Sequence, residues 1–198
     1  MQISFILPIR NEYLFICDVI DSILNQNVIN NVIYEILIAD GGSTDGTLEL
    51  IQKYIDKYEY IKLIHNQHQI VSTGFNLALN EALGERIVRV DGHCIIPQNF
   101  LEKSIPLLEK KGADIVGGVI ETIADGYIGK SISIAQSSLF GVGGVKFRKL
   151  GSQAGCYVKT LAFGLHRRKI FKVVGGYDEE MVHNQDDEFN YRVIQAGK

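Results

Sequence analysis

The sequence predicts an α/β domain with a mostly parallel sheet flanked by helices. Short apolar runs alternate with segments of helical spacing through the first half. Three of those runs end in polar turns that carry acids: Pro8-Ile-Arg-Asn-Glu12, Asp40-Gly-Gly-Ser-Thr-Asp-Gly-Thr47 and Asp91-Gly-His93. The chain's 198 residues suffice for one domain with a substantial core.

Each element has its own signal. Ile3 to Leu7 is a short buried strand. Leu14, Cys17, Ile20 and Leu24 mark a helix, with Phe15, Ile16 and Val19 widening its apolar face. Ile36 to Ala39 is the second strand. Leu48, Ile51, Tyr54, Ile55 and Tyr58 mark the second helix. Ile61 to Ile64 is strand three. Ser72 to Leu83 is helix three, with Gly84 as its C′ residue. Arg86 to Val90 is strand four. Strands and helices alternating at these lengths imply parallel β/α/β units.

The second half is less regular. Phe100 to Lys110 predicts a helix interrupted at Pro106. Ile115 to Ile120 and Tyr157 to Ala162 predict strands. Gly141 to Gly151 mixes glycines with Lys146, Arg148 and Lys149, and predicts a loop that orders over an anionic ligand. Arg168 to Val174 predicts a short helix before the turn Gly175-Gly-Tyr-Asp178. Glu188 to Ala196 predicts a last helix with Gly197 as its stop. Nothing follows that helix, which predicts a longer natural protein continuing past residue 198.

Composition narrows the function. Hydrophobic residues make up 46% and charged residues 22%, an ordinary globular balance. A formal net charge of −3 gives no electrostatic case for nucleic acid. The basic cluster His166-Arg-Arg-Lys169 is too short to alter that. Cys17, Cys94 and Cys156 have no C-x-x-C spacing, so they predict neither a zinc site nor a disulfide framework. They suit a reducing, cytoplasmic compartment. Strand-like residues begin at Ile3, so no signal peptide is expected. No apolar run approaches the roughly 18 residues of a membrane span. A membrane-bound acceptor remains compatible with this, and would place the chain peripherally at the inner face.

The three strand-end turns carry the chemistry. In an open α/β sheet, ligands bind at the carboxyl ends of the strands. The dinucleotide fingerprint G-x-G-x-x-G and the P-loop are both absent. After strand one, Asn11 suits a helix cap and Glu12 a helix N-terminus. Asp45 is a good N-cap for helix two, whereas Asp40 lies too far ahead of Leu48 to cap it. Asp40 suits hydrogen bonds to ribose hydroxyls or a base N–H. Asp91 and His93 stand two residues apart, and a turn there lets both face one ion. Carboxylate with imidazole suits Mn²⁺, while Mg²⁺ prefers all-oxygen sites. In Asn184-Gln-Asp-Asp-Glu-Phe-Asn-Tyr-Arg192, Glu188 and Arg192 form an i, i+4 pair. The macrodipole alone would also favour these acids at a helix start.

These motifs, in this order, resemble the inverting family 2 glycosyltransferases of the GT-A fold, whose sheet is Rossmann-like. Arg89-Val-Asp-Gly-His93 is similar to the succinoglycan-type polysaccharide transferases among them. The resemblance covers Phe5 to Gly197. It implies a single glycosyltransferase catalytic domain over residues 1–198, of hexosyltransferase type, working in polysaccharide biosynthesis. The donor would be a nucleotide sugar, foremost a UDP-sugar, and the acceptor a glycan or lipid-linked sugar. The cofactor would be a divalent metal, Mn²⁺ or Mg²⁺, held by Asp91 and His93. Pro8, Arg10, Asn11, Glu12, Asp40 and Asp91 would line the nucleotide-sugar pocket. Asp186 would be the catalytic base by the family's register, with Asp187 as the alternative. His166, Arg167 and Gln185 would contact diphosphate or acceptor. The chain departs from the family pattern at Gly41, His93 and Gln185, where the family carries acids. Two other classes therefore stay open: a catalytically silent nucleotide-sugar-binding domain and a nucleotidyltransferase. The latter usually has a Gly-rich basic loop after strand one, and this chain has Pro-Ile-Arg-Asn-Glu there.

Overall fold

A computed structural model of the chain describes residues 1–27, 32–124, 126–137 and 155–198. The predicted Gly141–Gly151 loop lies outside these residues. Six strands form one sheet: β1 (Gln2–Ile9), β2 (Ile33–Asp40), β3 (Ile61–His65), β4 (Arg86–Arg89), β5 (Ile115–Val116) and β6 (Gly164–Arg167). Their order is β3-β2-β1-β4-β6-β5. β1 pairs in parallel with both β2 and β4, and β2 in parallel with β3. β6 runs antiparallel to β4 and to β5.

Among the described residues seven helices accompany the sheet: α1 (Ile16–Leu24), α2 (Thr47–Ile55), α3 (Val71–Glu81), α4 (Phe100–Lys111), α5 (Gly126–Ser137), α6 (Lys169–Val174) and α7 (Gln185–Gln195). Successive strand side chains point to opposite faces, so β1 serves two cores. Ile3, Phe5, Leu7 and Ile9 pack on one face with α1, α4 and Ile51 of α2. Ile6 packs on the other with Phe75 and Ala78 of α3, Phe171 of α6 and Phe189 of α7.

The first half follows the sequence reading within a few residues. One detail differs: Gly84 is not a left-handed helix cap. The C-cap of α3 is Ala82 in extended conformation, and Gly84 has no positive φ. Gly84 is instead a close approach. A Cβ there would lie 2.5 Å from the Ser4 nitrogen and 2.6 Å from Ser4 Oγ. Its own N–H donates to Ser4 Oγ at 2.8 Å, and Ser4 Oγ donates to the buried Glu35 at 2.7 Å.

The second half departs more. α4 runs through Pro106, because Leu101, Ile105 and Leu108 anchor it on both sides of the proline. Giving up one backbone hydrogen bond does not outweigh that burial. β5 stops at Val116, before Gly117-Gly118. The stretch Tyr157–Ala162 forms no strand, and Tyr157 is 74% exposed. The pairing strand is Gly164–Arg167. α7 begins at Gln185, so the predicted start at Glu188 is three residues late.

Gly84→Ala should destabilise the chain by about 1–3 kcal/mol, the usual range for overpacking a filled space. Urea unfolding measures this. An unchanged midpoint would mean that the β1 backbone yields freely at Ser4.

Candidate active site

Parallel pairing places the turns after β2, β1 and β4 side by side. Ile9 of β1 stands opposite Asp40, and Val90 N–H donates to Ile6 carbonyl at 3.0 Å. With strands spaced about 4.8 Å apart, Asp40 and Asp91 flank β1 at a separation on the order of 10 Å.

Side chains bond these turns into one rim. Asn11 takes a left-handed φ of 57°, and its N–H donates to Ser43 Oγ at 2.8 Å. Its side-chain oxygen accepts from Thr44 N–H at 2.8 Å. Asn11 therefore holds the neighbouring turn and does not cap α1, which starts later, at Ile16. Glu12 N–H donates to Thr47 Oγ1 at 2.9 Å, and Tyr13 N–H to Asp45 at 3.1 Å. Asp45 also accepts from Thr47 N–H and hydroxyl. The Thr47 bond, with backbone N–H donors, holds the Asp45 carboxyl below its ordinary range. On the other side, the Glu12 carboxylate meets His93 Nδ1 at 2.9 Å. That hydrogen bond raises the His93 pKa against the opposing effect of burial. Gly92 makes the contact sterically feasible, since a Cβ there would lie 2.5 Å from Glu12 Cγ.

The predicted ligands differ in how free they are. Asp40 is only 2% exposed, and three donors from its own turn occupy its carboxylate: Gly42 N–H, Ser43 N–H and Ser43 hydroxyl. Asp40 thus shapes the turn from inside and is not an open acceptor for a ribose. Pro8 is buried and Arg10 exposed at the rim. Asp91 is held by Arg89, with Nε to Oδ1 at 2.9 Å and Nη2 to Oδ2 at 3.3 Å. Cys94 stays a neutral thiol beside it, pushed up to about 11 by burial and by Asp91.

α7 contributes the remaining acids. Asn184 precedes it in a left-handed conformation, with φ 59°. Asp187 is exposed and accepts from the Thr160 hydroxyl. The Asp186 carboxylate has no hydrogen bond among the described residues, and it lies close enough to influence the charge of Tyr177. Gln185 is buried at the helix start. Arg192 holds Glu188 and donates to the carbonyls of Val174 and Gly176, clamping the preceding turn.

His166 and Arg167 require correction. Both lie on β6, which runs antiparallel, so they pair with Ile87 and Arg86 at the amino end of β4. Four to five residues at about 3.3 Å each separate them from Asp91. His166 is buried between Phe171 and Phe189. Arg167 bonds Ala113 carbonyl and Glu109 beside α4. Neither reaches the strand-end rim. The sequence reading missed Arg89, Tyr177 and Thr160. Arg89 and Asp91 stand two apart, the period of one strand face, and this spacing could have revealed their pairing.

A divalent ion is a partial match to these residues. Asp91 and His93 supply suitable ligand types. Among the described residues no group of three His, Cys, Asp or Glu side chains could hold an ion.

A family model described as Glycosyl transferase family 2 matches residues 4–174. The Succinoglycan biosynthesis protein ExoA of Rhizobium meliloti (strain 1021) is 34% identical over 164 residues, 82% of this chain and 49% of ExoA. Two solved structures share the fold. S. aureus TarS 1–349, in complex with UDP-GlcNAc, matches with a TM-score of 0.71 at 20% identity, covering 99% of this chain and 54% of TarS. The mannosyltransferase PcManGT of Pyrobaculum calidifontis, in complex with GDP-Man and Mn²⁺, matches at 0.71 and 17% identity, covering 96% of this chain and 51% of that one. The chain thus spans about half the length of the relatives it matches.

Burial gives His166 a pH signature. It drives the imidazole from its ordinary 6.5 down to about 4. Between those values the unfolded chain binds a proton that the folded chain refuses. Stability is therefore full above pH 6.5 and falls as pH drops toward 4, by up to about 3 kcal/mol. Urea unfolding across this range should show a steeper acid loss in wild type than in His166→Phe. Parallel profiles would count against a neutral buried His166.

Proposed function

The chain belongs to glycosyl transferase family 2, and we propose on that premise that it transfers a sugar from a nucleotide-sugar donor with inversion. The acceptor is a glycan or a lipid-linked sugar, in polysaccharide biosynthesis. A lipid-linked acceptor would bring the chain to a membrane surface peripherally. No helix among the described residues is long and apolar enough to cross one. The observation that carries the reading is the bonded rim of three strand-end turns, together with an Asp186 carboxylate near Tyr177 that has no hydrogen bond among the described residues.

The reaction follows from these parts. The acceptor oxygen forms a bond to the anomeric carbon as the bond from that carbon to the diphosphate breaks. The nucleoside diphosphate leaves with the electron pair. Asp186 takes the acceptor's hydroxyl proton as general base. Asn11, Ser43 and Thr47 hold the turns at fixed spacing, so the nucleotide meets a preformed pocket. Asp40 acts through its turn, and Pro8, Arg10 and Glu12 border the pocket. Asp91 and His93 would hold the divalent ion, whose contribution when bound is to neutralise charge on the departing diphosphate.

The choice between the two adjacent acids rests on their partners. Successive residues on a helix point about 100° apart, so one of them faces the acceptor. Asp187 is tied to Thr160, which leaves Asp186 available.

Asp186→Asn should lower turnover by about 10²-fold or more, the loss expected for a general base, with donor affinity nearly intact. Asp187→Asn should cost stability more than rate. Steady-state kinetics on both decide it, and loss of transfer in Asp187→Asn alone would move the base by one residue. Calorimetric titration of Mn²⁺ should show weak binding without UDP and tighter binding with it. His93→Ala should weaken that binding and His93→Asp preserve it. Equal Mn²⁺ affinity in the Ala variant would remove His93 from the ligand set. A chain that turns over neither UDP-sugars nor GDP-sugars with Mn²⁺ would favour a silent binding domain.

A further inference from the structure

Arg89 is a charged side chain at the carboxyl end of β4, and it is only 4% exposed. Burying a guanidinium is costly unless every face of it is answered. Here the answers come from Asp91, Tyr177 and Phe163. Asp91 takes Nε and Nη2 in a two-pronged contact, at 2.9 and 3.3 Å. Nη1 donates to the Tyr177 hydroxyl at 3.2 Å. The rings of Tyr177 and Phe163 lie 5.2 and 5.5 Å from the guanidinium carbon, within cation–π range.

Paired prongs fix a carboxylate in rotation as well as position, which a single bond does not. We propose that Arg89 is a positioning residue whose fork holds the Asp91 carboxylate in one plane for the diphosphate side of the pocket. This deepens the glycosyl-transfer reading and rests on it. A carboxylate has about four lone-pair sites. The fork uses one on each oxygen and leaves the others for a ligand in the cleft. The pair is also neutral as a unit, so the turn after β4 attracts a free cation only weakly.

Tyr177 extends the device to the other side of the site. Its backbone N–H donates to Asn76 Oδ1 at 2.8 Å, and its carbonyl accepts from Asn76 Nδ2 at 2.8 Å. Arg192 of α7 clamps the same turn through Gly176 carbonyl at 2.8 Å. One buried cation therefore links the acid at the end of β4 to the helix that carries Asp186. An arginine serving stability alone has no need of a partner whose carboxylate is still partly open to the cleft.

The test uses Arg89→Lys, Tyr177→Phe and Asp91→Asn in the full chain. Lysine keeps the charge but presents a point donor instead of a fork. Binding of UDP and of GDP, each with Mn²⁺, is measured by calorimetry, together with Tm and with kcat and KM for donor. Arg89→Lys should weaken nucleotide binding about 10-fold and raise donor KM, and Tyr177→Phe should weaken binding about 3-fold. Combining Arg89→Lys with Asp91→Asn should add little to Asp91→Asn alone, the signature of residues acting as a unit. Arg89→Lys that lowers Tm but binds nucleotide normally overturns the inference, as do additive effects. Should Arg89→Lys fail to fold, unchanged affinity in a folded Tyr177→Phe overturns it. If wild type binds neither nucleotide, the functional reading falls and takes this inference with it. If wild type binds and only the variants' indifference is seen, the reading survives alone.

Discussion

The site depends on β1 lying between β2 and β4. That strand is buried on both faces. Ile3, Phe5 and Leu7 are fully covered on one side and Ile6 on the other. β1 is an inner strand of the sheet, and β2 and β4 both run parallel to it. Three turns then emerge at the same edge, close enough for side chains to join them. Without central β1, Asn11 could not reach Ser43 and Thr44 while Glu12 reached His93.

The rim owes its rigidity to polar groups that bond each other before any ligand arrives. Asp45, Thr47, Asn11 and Ser43 satisfy the backbone N–H groups of two turns. Asp40 does so within a single turn. Two of the three acids once read as ligands are thereby engaged, Asp40 by its turn and Glu12 by His93. Asp91 is engaged too, but in a geometry that leaves it open on one side. The departure of His93 from an acid gains a physical sense: the imidazole can bridge to Glu12, which a second carboxylate would repel.

Much of this was legible in the sequence, for stated reasons. Apolar spacing located β1 to β4 and α1 to α3, because these elements are buried on regular faces. The carboxyl-edge location of the acids followed from parallel β/α/β order. What failed was direction and partnership. The sequence signalled neither a strand at Gly164–Arg167 nor its direction, so the contacts with diphosphate or acceptor expected of His166 and Arg167 did not anticipate the antiparallel β6 that carries them to the amino end of β4. Gly84 signals a break but not whether it serves a left-handed turn or a close approach. Asp40 could not be seen to bond its own turn, since Ser43 folding back on it depends on backbone geometry. α5 left no periodic signal, as Tyr127, Ile128 and Ile134 lie exposed along it.

The two-residue β5 and the five-residue β3 also bear on how the molecule behaves among its own copies. A sheet's outer strands carry unpaired N–H and C=O groups, a template on which another chain can grow. β5 offers that template for only two residues before Gly117-Gly118 ends it. At the opposite margin, β3 turns Lys62 and His65 outward. Lys62, paired there with Glu35, puts a charge on the margin that an added strand would have to accommodate. Both margins thus limit extension of a sheet whose inner parallel strands β1, β2 and β4 are buried on both faces.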